Sequence, residues 1–386
     1  MHYRTRSVVR TAQISLLLAA ALAVTPVHAQ TGQGPNTGVL GVDADADSVS
    51  RGDSFIIDEI LVTAQKREER LINVPIAITA VTGEEIEDKG YGNISELLQR
   101  APGVSVTGGS AGTTQVQVRG VSSLYGAATV GYYLDEIPFS FNFNTALPEI
   151  RAWDLERVEV LRGPQGTLYG ANSIGGTIRT LTKNPSLSQF EAKGEAGVGF
   201  IKDGDQVWEV KGALNVPIVE DRMGIRLAAT HYKSGGFVDS PLGEDIDDVE
   251  NTTLRGKIAL APTEDLQITL SAWSLETERD NLSYARPSRV STLPIPSPTS
   301  NKIRILSSVI EKEMPSFNIV SATSYLTLDL PNVTPFDLGD GLFVPVEGDI
   351  EAKTFAQEVR LVSSGPDRLG GPWAAIIKTA PKIVLR

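Results

Sequence analysis

Beyond Pro185 the apolar residues settle into a strict two-residue period, and that period limits the chain to a few architectures. Trp208, Val210, Leu214, Val216 and Ile218 fall on one face of an extended segment, with Glu209, Lys211 and Asn215 on the other. Leu254, Ile258 and Leu260 oppose Arg255 and Lys257 in the same way, and Leu266, Ile268, Leu270 and Ala272 oppose Gln267, Thr269 and Ser271. Successive side chains of a strand point to opposite faces, so each segment has one apolar and one wet surface. A sandwich meets that demand by pressing its apolar faces together, and a membrane barrel by turning them to lipid. The connection at residues 261–265 is short, whereas residues 276–301 form a long, polar, proline-rich loop. Such asymmetry is the habit of barrels. Strand pattern alone leaves both architectures open.

The start of the chain places it outside the inner membrane. Arg4, Arg6 and Arg10, an apolar run from Ile14 to Val24, and the small-residue site ending at Ala29 make residues 1–29 a secretory signal peptide. No later segment offers the roughly 18 apolar residues of a transmembrane helix. The net charge of −12 becomes more negative once the leader's arginines are removed, which argues against nucleic acid as a partner. The chain has no cysteine, and without the leader His231 is its one histidine, so disulfides, thiolate ligands and multi-histidine sites are excluded. No catalytic residue, metal site or cofactor is assigned. Asp43, Asp45 and Asp47 imitate a calcium loop, but Ser48 stands where it needs glycine and Ser54 where it needs the bidentate acid. Residues 30–57, rich in Gly, Asp and Ser, read as a disordered linker.

From Leu71 to Pro185 the pattern is that of a small mixed α/β domain. Thr82 with Glu85, and Asn93 with Glu96, each set a side-chain acceptor at a helix start and a carboxylate three residues later. Gly90 ends the first helix, and Ala101, Pro102 and Gly103 end the second. Val116 and Val118 alternate with Gln115, Gln117 and Arg119 as a half-buried strand, and residues 130–138 read as another. Residues 154–185, DLERVEVLRGPQGTLYGANSIGGTIRTLTKNP, run a strand into glycine turns; GPQG lacks the lysine and following helix of a phosphate loop.

Those segments, in the order NVPIAITAVTGEEI, ISELLQRAPGV, VQVRGV, GYYLDEIP and VEVLRGPQGTLYGANSIGGTI, resemble the plug domain of TonB-dependent outer-membrane receptors. The resemblance decides for the barrel. It implies an α+β plug domain (residues 65–185) inside an antiparallel transmembrane β-barrel, here incomplete (residues 186–386), and transport in place of enzyme chemistry. The family closes 22 strands, which at roughly 10 residues each need about 220 residues before any loop. About eight strands are legible, ending near Ser363, and the terminal segment lacks the aromatic last strand of such barrels. A truncated barrel is therefore expected. The short stretch before the plug implies a transporter without the family's extra signalling domain.

Residues 58–64, DEILVTA, resemble the TonB box, the segment that engages the periplasmic energy-coupling protein TonB. Asp58, Glu59, Ile60, Leu61, Val62, Thr63 and Ala64 would bind it by strand addition, for which Ile60 to Thr63 have extended-chain propensity. The linker before and the charged run from Lys66 to Arg70 after are expected to keep the box accessible. By resemblance, Arg119 and Arg162 on the plug face acids on the barrel wall, and Glu358 is the matching wall glutamate. Phe139, Phe141 and Phe143 alternate with Ser140, Asn142 and Asn144; they read either as a ligand-facing apical loop or as a strand packing on its own core. The family often has Gly after Asp in the GYYLDEIP turn, where this chain has Glu136, so a type I′ turn is in question. The ligand implied is a scarce extracellular nutrient, most simply a ferric siderophore, with cobalamin or a carbohydrate as alternatives, and a non-functional truncated receptor fragment is the alternative to a transporter; outer-membrane lipid is the remaining partner.

Overall fold

In the computed structural model two layers are built from different local rules, an inner α+β plug and an outer antiparallel sheet. The structure describes residues 60–63, 66–67, 69–108, 114–122, 128–139, 148–169, 173–281, 289–363, 373–378 and 382–385, so the expected signal peptide and linker lie outside the described residues. The plug starts with a two-stranded ribbon, β1 (Leu61–Val62) and β2 (Glu69–Arg70), followed by β3 (Ala77–Thr82), α1 (Gly83–Asp88) and α2 (Ile94–Arg100). Next come the hairpin β4 (Val104–Gly108) and β5 (Thr114–Val118), then β6 (Val130–Leu134), β7 (Ile137–Pro138), β8 (Leu155–Arg162), α3 (Gly166–Tyr169) and β9 (Gly176–Thr182). Its main sheet has the order β3-β8-β9-β6-β7, with β6 parallel to β9 and the other pairs antiparallel.

The caps form as the sequence implies. Thr82 accepts from the Glu85 amide at 3.2 Å and Asn93 from the Glu96 amide at 2.9 Å, while the Glu96 carboxylate accepts from the Gly92 amide at 2.9 Å. Gly90 and Gly103, with φ of 64° and 75°, turn the chain out of the two helices. Gly176 is required for a different reason: a Cβ there would lie 2.4 Å from the Leu161 carbonyl oxygen, so only glycine lets β9 open beside β8.

The outer sheet is a meander of β10 (Glu191–Phe200), β11 (Gln206–Val219), β12 (Met223–Ser234), β13 (Val249–Thr263), β14 (Leu266–Arg279), β15 (Thr299–Glu313), β16 (Phe317–Asp337) and β17 (Phe343–Ser363). Both β18 (Trp373–Lys378) and β19 (Lys382–Leu385) then pair with β17. Every neighbour in the meander is antiparallel, and among the described residues β10 pairs with β11 alone, so the sheet is open. Alternation sets its two faces. On β16, Val320, Ala322, Leu326, Leu328 and Leu330 are buried, Leu326 and Leu328 in a cluster with plug residues, while Tyr325 is exposed.

The expected wet inner face is only partly wet. Trp273, Leu275, Ile303, Ile305, Leu326 and Leu328 of the wall join Ile86, Leu97, Leu98, Tyr132, Leu134 and Ile150 of the plug in one apolar core. Strands β14 to β16 are therefore apolar on both faces at that level, since the plug covers the inner one. At roughly 25 cal/mol per Å² of apolar area buried, this contact favours seating one layer against the other.

Candidate functional site

Within Ile60 to Thr63, Leu61 and Val62 form a short strand, β1, and that strand is docked instead of free. Val62 is fully buried among Val74, Tyr133, Leu161 and Tyr169, and the Leu71 amide donates to the Ile60 carbonyl at 2.9 Å. The Thr63 amide donates to Glu159 Oε1 at 2.9 Å, and its carbonyl accepts from Arg179 Nη1 at 2.6 Å. Leu61 stays 42% exposed, and among the described residues β1 pairs with β2 alone. Asp58, Glu59 and Ala64 lie outside the described residues.

Just beyond the segment, Lys66 enters a buried group of charges that joins three parts of the molecule. Its ammonium lies 2.9 Å from Glu136 Oε2 and 3.5 Å from Glu358 Oε2, over the rings of Tyr133 and Tyr169 at 4.6 and 5.1 Å. Arg360 on β17 bridges the same two acids, 2.6 Å from Glu136 and 3.0 Å from Glu358. Arg179 on β9, fully buried, reaches Glu136 at 3.2 Å and Glu159 at 2.9 Å. Glu136 is thus shared by Lys66, the plug sheet and the wall. Burial alone would raise its proton affinity, but Lys66, Arg360 and Arg179 together hold its carboxyl far below the ordinary value of 4.5. Burial pushes Lys66 down from its ordinary value, partly offset by Glu136 and Glu358. A cleft of about 350 Å³ opens beside this group, lined by Thr63, Lys66, Glu136, Asp265, Glu311 and Arg360.

A second ionic group seats the other side of the plug. Asp154, fully buried with φ of 54°, is held by Arg226, whose Nε lies 3.0 Å from Oδ2, and by Arg255, whose Nη2 donates to the Asp154 carbonyl at 2.9 Å. Lys257 reaches Asp135 at 3.0 Å and the Thr182 carbonyl at 3.1 Å, and Arg279 reaches Glu149 at 2.7 Å. Here wall cations meet plug acids.

That polarity is opposite to the expectation for Arg119 and Arg162. Among the described residues neither forms an ion pair with Glu358, whose cationic partners are Lys66 and Arg360. Arg162 donates to the Pro102 carbonyl at 3.2 Å, and the Arg119 amide donates to the Gly103 carbonyl at 2.8 Å with the side chain exposed. Both arginines sit at the turn after α2 and brace the plug internally. Phe139 is also corrected as a ligand-facing residue: it is 5% exposed and packs edge-on against Tyr132 with ring centroids 5.8 Å apart. Phe141 and Phe143 lie outside the described residues. Glu136 stands out in the sequence for its turn alone and Arg360 not at all, although Arg255 and Lys257 were already legible on the wet face of their strand.

Residues 70–177 match the family model for the TonB-dependent Receptor Plug Domain. The surrounding fold agrees: the ferric yersiniabactin uptake receptor FyuA from Yersinia pestis superposes with a TM-score of 0.60 at 18% identity, over 80% of this chain and 61% of that one. The chain carries a TonB-dependent receptor plug domain. A vitamin B12 transporter, BtuB, of Photobacterium profundum is 28% identical over 244 residues, 60% of this chain and 37% of its own length. An iron-regulated outer membrane virulence protein of Vibrio cholerae is 32% identical over 151 residues, 37% of this chain and 23% of its own. The chain thus spans well under half the length of these curated relatives. The docked segment Ile60 to Thr63 begins ten residues before the matched plug region and packs directly against it.

Proposed function

We propose that the chain acts as an outer-membrane receptor for energised uptake of a scarce nutrient, a ferric siderophore, with residues 58–64 as the segment that TonB engages. The observation that carries this reading is the placement of Lys66: two residues beyond the segment, it is buried in an ion group that ties the segment to both plug and wall. Tension on residues 58–64 would draw first on the Thr63 hydrogen bonds and then on Lys66. Withdrawal of Lys66 leaves Glu136 with Arg179 and Arg360, and Glu358 with Arg360 alone, which weakens the charge balance at this plug–wall contact. A pull at the segment thereby reaches the plug–wall contact at Glu136, while the Asp154 group still seats the plug. Removing one partner from a buried ion group is costly, about 3–5 kcal/mol, so the group resists thermal release and yields to applied force.

Iron chelates are favoured as cargo by the iron-regulated relative and by the ferric siderophore receptor of like fold. Cobalamin is the second reading, favoured by the longer match to a vitamin B12 transporter. The test is uptake by cells carrying the complete gene, fed radioactive iron on a panel of siderophores and, in parallel, labelled cobalamin. Iron uptake that depends on both the receptor and TonB supports the first reading; receptor-dependent uptake of cobalamin alone replaces it with the second.

A further inference from the structure

Outside the ion groups, the most informative surface is the outer face of β15 to β17. Its orientation follows from the connections. The short turns at Glu264 and Asp265 and at residues 314–316 lie at the end where Thr63 and Lys66 border the cleft, and β12 and β14 end, before their long connections, at the opposite end. Cross-strand register then sorts the outward residues into rows. Leu306, Tyr325 and Phe355 form an apolar row with Ala272, and they are 61%, 43% and 39% exposed. One step toward the long loops, Arg304, Thr327 and Lys353 face outward beside Ser274. A further step brings Lys302, Asp329 and Glu351 beside Glu276.

The two charged rows differ. Lys302 is neutralised on the wall by Glu276 and by Glu278 at 3.4 Å. Arg304 and Lys353 are exposed and, among the described residues, have no ion-pair partner. They flank the Thr327 hydroxyl from the two adjacent strands, which at the usual strand spacing sets their backbones about 10 Å apart. Directly below them is the aromatic and aliphatic row, over which long cationic stems lie while their heads reach the polar boundary. We propose that Arg304 and Lys353 form a docking site for the phosphate group of a phosphorylated lipid in the leaflet on the long-loop side of the membrane. The inference rests on the outer sheet being a membrane wall. A phosphate supplies the charge that neither cation finds on the protein. A second copy of the chain would bring the same two cations to the contact and repel.

The test uses the full chain folded in zwitterionic detergent, titrated with bisphosphorylated lipid A, its dephosphorylated form and inorganic phosphate, with bound lipid read by native mass spectrometry. The phosphorylated lipid should bind the parent, and Arg304→Gln with Lys353→Gln should weaken it by about tenfold or more. Lys302→Gln should leave it within about twofold, since that ammonium is already paired. Equal binding by parent and double variant, equal binding of the dephosphorylated lipid, or displacement by matched inorganic phosphate would each overturn the site. An equal loss in Lys302→Gln would also overturn it, by showing diffuse attraction. The conservative pair Arg304→Lys with Lys353→Arg should retain binding and guards against a folding defect. Neither residue faces the plug, so failure here leaves the uptake reading intact, and failure of uptake leaves this one intact.

Discussion

Glu136 is the residue on which the most charge converges, and its position depends on turn geometry. Asp135 has φ of 52° whereas Glu136 is not in the left-handed region, so the β6–β7 turn is not type I′ and tolerates a side chain at its second central position. That side chain reaches Lys66, Arg179 and Arg360. Glu136→Ala should destabilise the docked segment by about 3–5 kcal/mol, because three buried cations lose their shared acid. Combined with Arg360→Ala the cost should be well below the sum of the two singles, read by amide exchange in β8 and β9; strict additivity would show that the two do not act together. The pH dependence follows from the depressed acidity of Glu136. Its contribution is complete above the ordinary carboxylate value of 4.5 and is lost as pH falls through its lower folded value. The chain has no cysteine, so a spin label on Leu61→Cys reports this directly: mobility should rise on acidification, and a Glu136→Gln background should already be mobile at neutral pH. The unusual turn at Glu136 was legible in the sequence but its ion partners were not, since Lys66 reads as one charge in an accessible run. Resemblance names residue types such as Arg119, Arg162 and Glu358, but their partners depend on distances between segments far apart in the chain.

At the scale of elements much more was legible. The capping pairs at Thr82 and Asn93 and the alternation from Trp208 to Ala272 rest on local chemistry that the chain carries wherever it is placed. Two features depend on tertiary contact and were not readable: the apolar inner face of β14 to β16, and the burial of Val62 in the coupling segment. The segment's role rests on backbone pairing, and Leu61 is the cleaner place to test it because its side chain is largely outside the core. Leu61→Pro removes an amide donor and fixes φ, so in the complete receptor it should abolish energised uptake and leave ligand binding at the cell surface unchanged. Equal uptake by variant and parent would detach coupling from this segment. Leu61→Ala, which keeps the amide, should retain most uptake.

For the molecule as a whole, the two ionic groups divide the labour between holding and releasing. The Asp154 group contains no residue of the coupling segment, so tension at residues 58–64 does not act on it first. Asp154→Ala should therefore loosen the plug globally, by about 3–5 kcal/mol, through the stranded Arg226 and Arg255, and should raise the leak of a large antibiotic without added force. Lys66→Ala should instead free the segment and leave the plug seated. The most direct measurement is native-state amide exchange at Val62 and Thr63 in the parent and in Lys66→Ala, with β8 and β9 as internal reference. The account predicts exchange at Val62 and Thr63 faster by about tenfold or more in the variant, with the two reference strands unchanged. Identical protection at Val62 and Thr63 in both proteins would contradict it, since the ion group would then not hold the coupling segment.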